Sequence, residues 1–187
     1  MSHSKVAARY AKSLYTLTQT QGNTDAVLAD MVLYYNTLKE NRNLALTIKS
    51  PIIPGSKKQN ILDGVFGKNF QQITLGFVRL VVAKGREKYL SDIAKAYIQE
   101  DKKQKGIRDC EIISAIPLSE DLRKSLTLEA EKLAGGKVDI TEKVDSSIIG
   151  GYILKVQDLQ WDASVKTNLS KIREQILDFS YVPKIDF

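Results

Sequence analysis

Apolar residues recur at three- and four-residue intervals through the first hundred positions and alternate with polar ones in much of the remaining chain. The first period predicts helices. They cover about Lys5 to Gln21, Thr24 to Glu40, Gly55 to Phe66, Phe70 to Lys84 and Glu87 to Lys103, with a further short helix in Asn43 to Lys49. Turn-forming residues separate them: Gly22-Asn23, Asn41 to Asn43, Ser50-Pro51 with Pro54-Gly55, Gly67-Lys68, and Gly85. A compact helical bundle is expected.

After EDKKQKG the period changes. IRDCEIISAIP reads as a strand with Cys110, Ile112 and Ile116 on one face. Ser119 then caps a helix with Glu120 and Asp121 in its first turn, where the helix dipole favours acids. Its stripe is Leu122, Leu126, Ala130 and Leu133, and Gly135-Gly136 ends it. KVDITEKVD is a second strand, and IIGGYILKV with LQW forms a hairpin about Gln157-Asp158. The final helix has Val165, Leu169, Ile172, Ile176 and Phe179 along one side and Asp162 as its N-cap. The expected fold is therefore an α-helical N-terminal bundle, residues 1–105, followed by a small α+β domain, residues 106–187. The lysine-rich segment Asp101 to Gly106, which offers no core residues to either part, is the expected boundary.

Charge separates the same two parts. Up to Lys105 there are 17 basic and 8 acidic residues, a net +9; from Gly106 onward there are 11 and 14, a net −3. The most apolar segment, ITLGFVRLVVA from Ile73 to Ala83, is too short for a membrane span and contains Arg79. MSHSKVAARYAKSLY lacks the apolar core and small-residue cleavage site of a secretory signal, so a cytoplasm-like compartment is expected. The lone cysteine, Cys110, sits in an alternating run and reads as a small buried hydrophobe.

The candidates for chemistry are few. Gly150-Gly151, beside Ser146-Ser147, raises the question of a phosphate cradle, but such a cradle lies between a strand and a helix, and here strand residues come next. A bulge, or a point where another backbone packs too closely for a Cβ, fits better. GVFGK at Gly64 to Lys68 has its glycines too close together for a P-loop, and Asn69 stands where Ser or Thr is required. One histidine, His3, in a terminus expected to fray, and one cysteine leave no conventional zinc site and no His-based triad. Carboxylate sites remain open on residue type alone. No cofactor is implied. The basic clusters Lys57-Lys58 and Lys102-Lys103-Lys105 lack interleaved aromatics; a basic helical RNA-binding module is the alternative reading they leave.

The first helix is the most informative element. Lys5, Arg9, Lys12, Thr16 and Gln19 form a polar ridge; Val6, Tyr10, Leu14 and Leu17 form one apolar row, and Ala7, Ala11, Tyr15 and Thr18 another. That arc is wider than one core contact needs. Either the helix is wedged between two neighbours of its own bundle, or one row faces the core while the small-residue row or its border receives a helix from another protein.

ARYAKSLY at Ala8 to Tyr15, SPIIPGSKKQNIL at Ser50 to Leu62, FVRLVVAKGREKYL at Phe77 to Leu90 and VDSSIIGGYILKVQDLQWDASVKTNLSKIREQI at Val144 to Ile176 resemble the delta subunit of bacterial F-type ATP synthase, the relative of the mitochondrial oligomycin-sensitivity-conferring protein. The likeness runs in order along nearly the whole chain. Its most specific block combines Asp145, Gly150, Gly151, an apolar strand, Asp162 and Ser164; Gln157-Asp158 replaces the family's Gly-Asp turn, and Trp161 replaces a smaller aliphatic residue. The resemblance implies a six-helix N-terminal domain that receives the N-terminal helix of an alpha subunit between its first and fifth helices. Carried onto this chain, that groove involves the Tyr10, Ala11 and Leu14 region together with the Gly76 to Ala83 region, in which Gly76, Leu80 and Ala83 are the named residues. The resemblance further implies a C-terminal domain that holds the b-subunit stalk. The protein would then be a non-catalytic stator (peripheral stalk) subunit, attached through its partners to the cytoplasmic face of the bacterial plasma membrane.

Overall fold

The computed structural model describes residues 3–156 and 159–178. The chain divides after Lys105 into two compact units.

The first unit is helical. It consists of α1 (His3–Gln21), α2 (Thr24–Glu40), α3 (Arg42–Lys49), α4 (Gly55–Phe66), α5 (Gln72–Ala83), a 3-10 turn at Glu87–Tyr89, and α6 (Leu90–Gln104). Several boundaries differ from those expected, and three are instructive. The first helix starts at His3, inside the terminus expected to fray. The fifth starts at Gln72 rather than Phe70, because the Phe70 N–H still bonds to the Phe66 carbonyl at the close of α4, while the Gln71 N–H donates to the Asp30 carboxylate at 2.8 Å. The sixth runs through the segment expected to be a linker, because Asp101 is buried and forms an ion pair with Lys105 at 3.0 Å.

α1 and α6 lie against each other. The Thr18 hydroxyl donates to the Tyr15 carbonyl at 2.9 Å and shares a 2.8 Å hydrogen bond with the Tyr97 hydroxyl, so the end of α1 is tied to α6 by polar groups fully inside the core. Such a pair is costly to leave half made, which fixes the register of the two helices. Elsewhere the core is apolar, with Tyr34, Phe66 and Phe70 forming an aromatic cluster in which the two phenylalanines stack at 4.7 Å.

The second unit contains β1 (Arg108–Ser114), α7 (Glu120–Ala134), β2 (Val138–Val144), a 3-10 turn at Ser146–Ile148, β3 (Tyr152–Val156), β4 (Leu159–Asp162) and α8 (Val165–Asp178). The sheet order is β2-β1-β3-β4, with β1 and β2 parallel and the other pairs antiparallel. Cys110 and Ile112 of β1, Leu154 and Val156 of β3, and Leu126, Ala130 and Ala134 of α7 form its core. The Ser119 hydroxyl caps α7 by accepting from the Leu122 N–H. Burial pushes the Cys110 thiol above its usual range, in keeping with a packed, inert side chain.

Four expectations for this unit need correction. Ile116 does not share the face of Cys110 and Ile112: the strand ends at Ser114, whose hydroxyl donates to the Ile116 carbonyl at 2.7 Å in a turn that leaves Ile116 73% exposed. On α7, Leu122 and Leu133 are exposed and Ala134 takes the core position instead. Gly150 and Gly151 precede β3 rather than interrupting it. The helix cap is Ser164, not Asp162: α8 starts at Val165, and the Ser164 hydroxyl accepts from the Thr167 N–H at 3.2 Å. The Gln157-Asp158 turn and Phe179 lie outside the described residues, as does the Ile176 side chain.

Candidate interaction groove

α1 has two apolar rows, and the structure assigns them different tasks. Ala7, Ala11, Tyr15 and Thr18 face inward. Small side chains at Ala7 and Ala11 allow close helix packing, and Tyr15 meets Tyr97 with ring centroids 5.6 Å apart. The row of larger residues faces a cleft between α1 and α5 of about 320 Å³. Tyr10, Leu14 and Leu17 line it from α1, and Phe77 and Leu80 from α5. Leu14 forms its floor while remaining buried, whereas Leu17 and Leu80 are 45% and 50% exposed.

This arrangement revises one predicted residue and sorts the others. Ala11 is 1% exposed and belongs to the protein's own core, so it cannot meet a partner in the groove. Its place is one helical position away from Tyr10, and that step is enough to carry it inside. Tyr10, Leu14 and Leu80 come together in the cleft. Gly76 and Ala83 are exposed on α5 beside Leu80 but do not line the cleft. An added Cβ at Gly76 would meet nothing within 4 Å, so that position leaves room above the helix.

Phe77 falls within the Gly76 to Ala83 region implied by the resemblance, though it is not named there, and the sequence does not single out Arg9 or Arg86; all three line the cleft. The Tyr10 and Phe77 rings meet edge to face, with centroids 6.2 Å apart. The Arg86 guanidinium donates through Nη1 to the Tyr10 hydroxyl at 2.7 Å and lies 5.6 Å from the ring centroid. Only the pattern of α5 could have suggested Phe77; a contact spanning 76 residues of sequence gave Arg86 no local signal.

Buried polar groups hold both walls in place. The Asp30 carboxylate of α2 accepts from the Gln71 N–H and, at 2.6 Å, from the Thr74 hydroxyl, which gives one open N–H at the N-terminus of α5 a partner and ties its first turn to α2. Lys58 of α4, 1% exposed, donates to Glu87 at 2.7 Å. Burial by itself would raise the Glu87 carboxyl, but the hydrogen bond from Lys58 and the lysine's charge hold it below its usual range. Glu87 is next to Arg86 in the chain, so this pair anchors the segment that presents the guanidinium.

In the second unit the paired glycines and the Asp-x-Ser element of the motif meet. An added Gly151 Cβ would collide with the Ala163 carbonyl, and Gly151 has φ +77°; at Gly150 it would come within 3.0 Å of Val165 Cγ2. The Val165 N–H donates to the Gly150 carbonyl at 3.0 Å. Asp162 accepts from the Ser164 N–H at 2.9 Å and from the Thr167 hydroxyl at 2.8 Å, and the bonds from Ser164 first, then Thr167, hold its carboxyl below the usual range. The motif is thus a joint that fixes the start of α8. Val165, Leu169 and Ile172 along that helix are exposed. Among the described residues no group of three or more histidine, cysteine or acidic side chains could hold a metal ion, and no helix is long and apolar enough to cross a membrane.

Comparison with known proteins gives a consistent result. A family model described as ATP synthase delta (OSCP) subunit matches residues 6–176. The ATP synthase subunit delta of Cytophaga hutchinsonii is 35% identical over 184 residues, covering 96% of this chain and 100% of the relative. That of Christiangramia forsetii is 32% identical over 185 residues, covering 99% and 100%, and that of Lactobacillus gasseri 35% over 179 residues, covering 95% and 98%. Among solved structures, a chain of the Toxoplasma gondii mitochondrial ATP synthase hexamer superposes with a TM-score of 0.71 at 19% identity, covering 91% of this chain and 97% of that one. At that identity the likeness concerns the fold.

Proposed function

Since the chain belongs to the ATP synthase delta (OSCP) subunit family, we propose that it is a stator, or peripheral stalk, subunit of an F-type ATP synthase. In this role it links the catalytic head to the membrane proton-channel sector during proton-driven ATP synthesis. The N-terminal unit takes the N-terminal helix of an alpha subunit in the α1–α5 groove, and the C-terminal unit holds the b subunits. It does no chemistry itself and reaches the cytoplasmic face of the plasma membrane through its partners.

The observation that carries this reading is the groove. It joins half-exposed Leu17 and Leu80 to an aromatic pair and a buried floor, a surface suited to the apolar face of one helix. Each apolar anchor that such a helix buries contributes about 1.5–3 kcal/mol before ordering costs, so three or four anchors suffice for firm attachment. A stator must resist torque without turnover, and a rigid groove does that. The exposed row Val165, Leu169 and Ile172 supports a second contact at the other unit, where the b subunits are assigned.

The test is a pull-down from native membranes with the tagged full chain, the captured subunits being identified by mass spectrometry. Alpha and b subunits should co-purify. Recovery of neither would overturn the reading. The RNA-binding alternative makes a different demand, namely binding to RNA that falls steeply with added salt.

A further inference from the structure

The floor of the α1–α5 groove is apolar, but two arginines border it, and no acidic side chain is among the residues that line it. Arg86 is held at its backbone from two sides. Its N–H donates to the Val81 carbonyl at 3.0 Å, and the neighbouring Glu87 is locked to buried Lys58. Its side chain is exposed, and its hydrogen bond to the Tyr10 hydroxyl uses one of five donors. Arg9 is exposed on α1. Among the described residues neither guanidinium has a carboxylate partner.

We propose that this groove selects a helix bearing carboxylates beside its apolar stripe, and that Arg86 is the residue that reads them. The inference rests on the helix-docking role proposed above and adds to it the charge of the partner. A phenol oxygen is a weaker acceptor for a guanidinium than a carboxylate, which can take two parallel N–H bonds. When the helix docks, Arg86 therefore exchanges or supplements Tyr10 with the partner's carboxylate. Positive charge on both arginines also disfavours helices flanked by lysine, so the groove discriminates by repulsion as well as attraction.

The experiment uses the full chain and two synthetic peptides in calorimetry: the N-terminal segment of the alpha subunit from the same organism, and the same peptide with every Glu and Asp replaced by Gln and Asn. The wild-type chain should bind the native peptide about fivefold more tightly than the neutralised one, the size of effect an exposed ion pair gives. Arg86→Gln should bring that ratio close to one, whatever it does to the affinity for either peptide alone. The ratio separates charge recognition from a merely structural role, which would weaken both peptides alike and leave the ratio at about five. Equal affinity of the wild type for the two peptides would overturn the charge reading and leave the groove intact; no binding of either peptide would overturn the groove reading itself. Should Arg86→Gln melt early, the wild type alone decides: the native peptide must weaken with ionic strength and the neutralised peptide must not.

Discussion

Two aspartate substitutions one groove apart should fail in opposite ways. Ala11 is 1% exposed, on the face of α1 that packs into the apolar core. Ala11→Asp buries a carboxylate without a partner, which costs several kcal/mol even after the carboxyl takes up a proton. A domain of this size has a total stability of about 5–15 kcal/mol and loses about 4–8 °C of melting temperature per kcal/mol. Ala11→Asp should therefore lower the melting temperature of the N-terminal unit by well over 10 °C. Leu80 is 50% exposed in the free protein, so Leu80→Asp should change stability by no more than about 0.5 kcal/mol. Docking is another matter, because the new carboxylate displaces an apolar anchor worth about 1.5–3 kcal/mol, a loss of more than tenfold in affinity. Thermal melts followed by circular dichroism, then calorimetry with the alpha N-terminal peptide, separate the two outcomes. The reasoning is refuted if Ala11→Asp melts like the parent, or if Leu80→Asp folds and still binds as the parent does.

Three further predictions concern the supports and the joint before β3. Lys58→Met should cost about 2 kcal/mol at neutral pH, less than the full penalty for a stranded buried ion because the Glu87 side chain keeps 15% exposure. Since the Glu87 carboxyl is depressed in the folded protein, the ion pair's contribution is present above the unfolded carboxylate range and is lost as pH falls through the folded value; urea melts should show the gap between variant and parent narrowing on the acid side, and a constant gap would count against the pair. At the joint before β3, Gly151→Ala should destabilise the C-terminal unit by at least about 2 kcal/mol through its positive φ and the contact with the Ala163 carbonyl. Ile149→Gly should instead raise stability slightly, because Ile149 has φ 68° in a tight turn closed by the Gly150 N–H and the Ile148 carbonyl, an unfavourable backbone for a β-branched residue. Melts that move in the same direction for both variants would remove this account of the turn.

The N-terminal unit is legible in the sequence wherever local rules decide. Helical periods and turn residues locate the helices of the bundle, because both depend on neighbours three or four positions away. The inward row of α1 is not legible from the same pattern. Both rows are apolar, and the choice is made by Tyr97, whose hydroxyl meets Thr18 across 79 residues, and by the small residues that let α6 approach. Hence the row does not reveal that Ala11 turns inward, while Arg86, which completes the groove, carries no local mark at all. The start of α5 is misplaced for a similar reason: Asp30, on another helix, supplies the polar contact at its N-terminus, and no capping residue in the local sequence announces it.

The C-terminal motif shows how a local signal can be read correctly in kind and wrongly in place. Paired glycines in an apolar run indicate either a bulge or a close approach, and the second applies, but at the entrance to β3 rather than within it. The approaching group is the Ala163-Ser164 backbone, brought there because Asp162 holds the Ser164 N–H and Ser164 in turn caps α8. Asp162 looks like the cap because a carboxylate two residues before the true cap, Ser164, is the same kind of acceptor beside the first turn. The arrangement makes the glycines and the Asp-x-Ser pair one device. Together they fix the start of α8 at Val165, and the helix then carries Val165, Leu169 and Ile172 as exposed residues outside the unit's core cluster. A helix whose apolar row is exposed depends on its fixed end for direction. Changes in this joint should consequently weaken whatever contact α8 makes, in proportion to the disorder they introduce at its start, and leave the α1–α5 groove in the other unit unaffected.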